Sequence, residues 1–118
     1  MQARPLHDDG LHILQLEGDI DLAASPDLRE VLRELSEQQP PLLVLDFEAV
    51  PYIDSSGLAT LVEYVRNAKD YQGKLAIVSP NDRVRTVFEL VRLDQLLPLH
   101  TSLAEVKAAA ARPAQPGA

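Results

Sequence analysis

The run Asp54-Ser55-Ser56-Gly57 sets a carboxylate, two hydroxyls and a glycine in four consecutive positions. The apolar run Leu42-Leu43-Val44-Leu45 precedes it. A helical face of Leu58, Leu61, Val62 and Val65 follows it. A buried strand therefore hands over, through a loop containing Pro51, to the start of a helix. The first backbone N–H groups of a helix have no partner within it. With the helix dipole they amount to a partial positive charge, which favours an anion. Ser55 or Ser56 can cap those donors, and a phosphate on either hydroxyl would lie in that field. Gly57 lacks a Cβ, so another chain or a nucleotide could approach closely. Ordinary capping by Asp54 or a serine is the simpler account of these residue types. Two adjacent hydroxyls beside an acid and a glycine exceed what a cap needs, without excluding it.

Other residues have types that could carry chemistry. Glu17, Asp19 and Asp21 could hold a metal, but His7, His12 and His100 are scattered and do not join them. Acids flanking a glycine turn are ordinarily just solvated. Asp46, at the end of an apolar strand, superficially imitates the phosphoacceptor of a response-regulator receiver. A receiver also needs an acidic pair after its first strand and a Lys after its last, and Pro98-Leu99-His100 supplies no Lys. Arg83, Arg85 and Arg92 alternate with Asp82, Glu89 and Asp94, a mixed solvated face. The chain has no Gly-x-x-x-x-Gly-Lys loop and no Gly-x-Gly-x-x-Gly. A serine nucleophile needs a base within reach, and no His is placed in sequence to serve Ser55. No catalytic residue, metal or cofactor is expected.

The 118 residues suit one domain. At 46% hydrophobic and 25% charged they can bury a core without staples. Cysteine is absent, which excludes a disulfide framework or a thiolate site. No apolar run reaches the roughly 18 residues of a membrane span, and the N-terminus lacks a signal-peptide core. A cytoplasmic location is expected. Net charge of -7 and 4% aromatics argue against a nucleic-acid surface.

The elements that must position the motif follow from periodicity. Residues 3 to 8 pair with Leu11–Leu16 across an Asp9-Gly10 turn. Ser25-Pro26, read as a cap and first helical position, opens a helix with Leu28, Val31, Leu32 and Leu35 on one face, ended by Pro40-Pro41. Gly73 is placed to cap the second helix. Leu75–Val78 is the next strand. Pro80-Asn81 opens a third helix with Val84, Val87, Phe88 and Val91. Leu96–Leu99 forms a last strand at an edge, because Pro98 cannot donate to a ladder. Ser102 and Glu105 form a capping box for a final helix to about Ala111. Residues 1–111 are read as the domain and 112–118, rich in Pro and Ala, as a flexible tail. The order β-β-α-β-α-β-α-β-α implies an α/β fold: a mixed, mostly parallel sheet of four to five strands with about four helices packed on it.

The run Val50-Pro51-Tyr52-Ile53-Asp54-Ser55-Ser56-Gly57-Leu58 resembles the signature of STAS domains, specifically the bacterial anti-sigma factor antagonists. Leu16-Glu17-Gly18-Asp19-Ile20-Asp21 resembles that family's Gly-x-x-Asp turn, at the right separation. The resemblance spans nearly all of residues 5 to 110. It implies a STAS fold and a phosphorylation switch. Ser55 would be the residue phosphorylated by an anti-sigma factor serine kinase and dephosphorylated by a PP2C-type phosphatase. Asp54 would position that hydroxyl, Ser56 and Gly57 would shape the helix start, and Asp21 would contact the partner from the same rim. The implied partner surface is Gly18, Asp19, Asp21, Asp54, Ser55, Ser56, Gly57 and Leu58. Two other roles stay open: a STAS subunit of a lipid-transport ABC ATPase, or a regulator of a non-sigma output.

Overall fold

Asp9 and Gly10 both take left-handed backbone angles, φ 51° and 79°. That pair folds β1 (Gln2–Asp8) back on β2 (Leu11–Glu17) as an antiparallel hairpin. A computed structural model describes residues 1–110; the expected domain end at 111 and the tail 112–118 lie outside the described residues. After the hairpin come α1 (Ser25–Ser36), β3 (Leu42–Ala49), α2 (Ser55–Ala68), β4 (Lys74–Val78), α3 (Asp82–Leu90), β5 (Leu99–His100) and α4 (Leu103–Ala110). The five strands lie in the order β1-β2-β3-β4-β5. Strands β2 to β5 are parallel and β1 is antiparallel at the edge. This is the mixed α/β sheet expected from the sequence.

Strand alternation divides the core in two. Leu14, Leu16, Leu43, Leu45, Phe47, Leu75 and Ile77 face one way and meet Leu28, Leu32, Leu61, Val84 and Phe88 from α1, α2 and α3. Phe47 and Phe88 pack edge to face, with centroids 5.9 Å apart. Ile13, Val44 and Val78 face the other way and meet Val106 of α4. Strand β3 is buried on both faces, so the chain that leaves it starts from a fixed point.

Several local expectations need correction. Ser25 does not cap α1; its hydroxyl turns back to the Asp21 carbonyl at 2.8 Å, and Asp21 Oδ1 accepts from Ala24 N at 3.0 Å. The residue that turns the chain after α2 is Gln72 (φ 60°), one position before Gly73. Val91 continues the periodicity of α3 but is exposed, because the helix stops and Arg92 takes φ 61°. The last strand begins after Pro98 rather than at Leu96, and it lies at the other edge. Only half of the capping box forms. Ser102 Oγ accepts from Glu105 N at 3.2 Å, while the Glu105 carboxylate binds Thr101 Oγ1 and His100 Nδ1.

Candidate functional site

Two loops meet beyond the ends of β2 and β3. Gly18, at φ 95°, donates to Ala49 O at 2.9 Å. Ile20 N then donates to Tyr52 O at 2.9 Å, and Asp54 N donates to Ile20 O at 3.1 Å. Ile20 and Ile53 thus form a one-residue parallel extension of the sheet. This places the Gly18–Asp21 turn beside the Asp54–Gly57 motif, as one rim.

Asp54 is the N-cap of α2, with extended backbone angles. Its Oδ1 accepts from Ser56 N at 2.9 Å, Gly57 N at 3.2 Å and Ser56 Oγ at 2.6 Å. The Ser56 hydroxyl, followed by the Gly57, Ser56 and Leu22 amides, holds the Asp54 carboxyl below its ordinary pKa against partial desolvation. Two of the helix's first N–H groups are therefore already occupied by an anion of the chain itself. The Ser55 N–H, the first donor of the helix, has no hydrogen-bond partner among the described residues, so one open donor remains beside the Ser55 hydroxyl.

The two serines are divided sharply. Ser56 Oγ contacts Asp54 Oδ1 and also Ser25 Oγ at 2.8 Å. Ser25 is buried and reaches on to Asp21 O. The ionised Asp54 brings no proton, so the Ser56 proton goes to Asp54 and the Ser25 proton serves either Asp21 O or Ser56 Oγ. Ser56 is thus engaged as a donor and, through its contact with Ser25, lies between the α1 start and the α2 start. Ser55, the first residue of α2, is exposed. Among the described residues its hydroxyl makes no hydrogen bond. Asp54 positions Ser56 directly, and not the Ser55 hydroxyl as the motif implied.

Gly57 is also placed differently from its expected role. It is buried, and a Cβ there would stand 2.7 Å from Ile20 Cγ2, 2.8 Å from Ile53 Cγ1 and 2.9 Å from Ile20 O. The space left by its missing side chain is filled from within, so no partner approaches through it. Leu58 is core at 8% exposure. Asp19 is exposed and Asp21 partly so. Sequence reasoning passed over two apolar side chains near the motif. Leu22, whose amide faces Asp54, is 75% exposed, and Tyr52 is 43% exposed. A leucine directly after Asp21, outside any helical or strand period, was the available signal. Among the described residues no histidine is hydrogen-bonded to Ser55, and His100 is engaged by Glu105.

A family model described as "STAS domain" matches residues 3–106. The anti-sigma-B factor antagonist of Staphylococcus aureus is 27% identical over 89 residues, covering 75% of this chain and 82% of that protein. The crystal structure of an anti-sigma factor antagonist from Mycobacterium paratuberculosis superposes with a TM-score of 0.83 at 26% identity, covering 92% of each chain. The Bacillus cell fate determinant SpoIIAA in its phosphorylated form shares the fold, with a TM-score of 0.70 at 18% identity, covering 92% of this chain and 99% of that one. Among the described residues no helix is long and apolar enough to cross a membrane.

Proposed function

The chain belongs to the STAS domain family, and we propose that it is an anti-sigma factor antagonist switched by phosphorylation of Ser55. Unmodified, it holds an anti-sigma factor serine kinase and so frees a sigma factor; phosphorylated, it lets go. The observation that carries this reading is the division of labour between the serines. The Ser55 side chain is exposed and makes no hydrogen bond among the described residues, while the Ser56 hydroxyl is held by Asp54 and in contact with Ser25. The relatives' names and the solved phosphorylated form of SpoIIAA support it.

In this reading the chain is a phosphoacceptor and contributes no catalytic group. The kinase brings ATP, Mg²⁺ and the base. Ser55 Oγ attacks the γ-phosphorus, its proton passes to the kinase's base, and ADP leaves. A PP2C-type phosphatase hydrolyses the ester and resets the switch. Dependence on ATP puts the exchange in the cytoplasm. Phosphate adds about 1.5 to 2 negative charges. Asp54 already occupies two of the α2 donors, so that charge is offset only in part locally, and it stands on an exposed residue of a rim that also carries Asp19 and Asp21. A partner packed over Leu22 and Tyr52 would have to bury it unpaired. Such burial costs several kcal/mol, and each ~1.4 kcal/mol is a tenfold loss of affinity.

Incubation with the cognate kinase and ATP, followed by fragment mass spectrometry, tests the assignment. A single phosphate on Ser55, retained in Ser56→Ala and lost in Ser55→Ala, is expected. Modification at Ser56 alone would overturn it.

A further inference from the structure

Three successive carbonyls in the loop before Ser55 have partners. Tyr52 O accepts from Ile20 N. Val50 O and Pro51 O both accept from Asn81 Nδ2, at 3.3 Å each. The other end of the same amide, Asn81 Oδ1, accepts from Val84 N at 2.7 Å and caps α3. Ser79, at φ 57°, turns the chain out of β4 toward this position, with its N–H on His100 O and its hydroxyl on Thr101 O.

The two ends of the Asn81 amide are not interchangeable. Flipped, its oxygen would face two carbonyl oxygens and its NH₂ would face the Val84 N–H. Capping alone does not call for asparagine, since Ser and Asp cap as well. Among these three, only asparagine adds the donor that reaches Val50 and Pro51. We propose that Asn81 is a positioning residue, whose NH₂ group fixes the loop that presents Ser55 while its oxygen starts α3. The loop is thereby suspended between Ile20 on one side and α3 on the other. Its link to the switch rests on the reading of Ser55 as phosphoacceptor.

Two substitutions separate the roles. Asn81→Ser keeps a cap and loses the donor. Asn81→Asp keeps a cap with a favourable charge and sets a carboxylate against two carbonyls. Amide hydrogen exchange by NMR reads the loop at Ile20 and Asp54 and the cap at Val84. Asn81→Ser is expected to speed exchange at Ile20 and Asp54 by roughly threefold to tenfold, the scale of one weak hydrogen bond. Val84 should stay near wild type. Asn81→Asp should speed the loop at least as much without lowering Tm. Phosphorylation of Ser55 by the cognate kinase should slow in step, in kcat/KM. Unchanged exchange at Ile20 and Asp54 in Asn81→Ser would overturn the proposal. Equal acceleration at Val84 would also overturn it, because that marks general loosening of α3. Faster loop exchange with an unchanged phosphorylation rate would overturn the positioning role. If wild-type protein takes no phosphate at Ser55, the functional reading fails on its own, and the exchange data still decide whether Asn81 holds the loop.

Discussion

Gly57→Ala sets two physical effects against each other, and its sign is diagnostic. Gly57 lies in the first turn of α2. In an exposed helix, replacing Gly by Ala stabilises by about 1 kcal/mol. Here the new methyl would meet Ile20 Cγ2 at 2.7 Å, Ile53 Cγ1 at 2.8 Å and Ile20 O at 2.9 Å. Carbon contacts relax near 3.5–4.0 Å, so both isoleucines must retreat by roughly 0.7 Å or more. Ile20 and Ile53 are both buried. Overpacking of this kind costs about 1–3 kcal/mol. Moving Ile20 O also stretches the bond from Asp54 N, worth about 1 kcal/mol. Subtracting the helix gain leaves a net loss of about 2 kcal/mol, or a Tm lower by about 8 °C for a domain of this size. Thermal unfolding followed by circular dichroism reads this directly. A variant as stable as wild type, or more so, would refute the claim that Gly57 is required by packing from within.

Three further outcomes follow from the same geometry. Ser56→Ala removes the bond to the Asp54 carboxylate and strips buried Ser25 of one partner, so unfolding free energy should fall by about 1–2 kcal/mol; no measurable loss would mean the Asp54–Ser56–Ser25 contacts are not a structural tie. Asp21→Ala should lose about 1 kcal/mol by removing the acceptor for Ala24 N, while Asp21→Asn, which keeps an acceptor, stays near wild type; denaturant titration of both checks it, and equal losses would count against that hydrogen bond. Asp54 titrates lower in the fold than in the unfolded chain, so its contribution is complete at neutral pH, starts to decline near pH 4 and is gone below its folded value. Asp54→Asn should therefore flatten the acid limb of a stability–pH profile, leaving the slope that Glu105, also lowered by Thr101 and His100, supplies; an unchanged limb would contradict the pKa direction.

What the sequence disclosed was local. Asp9-Gly10 demanded left-handed angles and delivered a hairpin. The spacing of Leu28, Leu32 and Leu35, and of Leu58 and Leu61, marked buried faces that the structure buries. The start of α2 was legible because an acid, two serines and a glycine cannot extend a strand and readily begin a helix. What stayed hidden depends on partners distant in the chain. Nothing near Ser56 indicates that Ser25, 31 positions away, occupies its hydroxyl and leaves Ser55 as the free one. The role of Gly57 is set by Ile20, which arrives from another loop. Ser25 resembled a cap because Ser-Pro opens many helices, yet its hydroxyl found a carbonyl and a second serine to bind. Val91 kept the helical period of α3, but periodicity cannot register that the next residue turns left-handed.

The most direct test of the central claim is calorimetric titration of the cognate anti-sigma partner with unmodified chain and with chain phosphorylated at Ser55, at one salt concentration. Both forms should show the same Tm, because the phosphate lies outside the fold. The unmodified form should bind at least roughly a hundredfold more tightly, equivalent to about 2.8 kcal/mol of opposed burial. Equal affinity of two fully folded forms would contradict the switch.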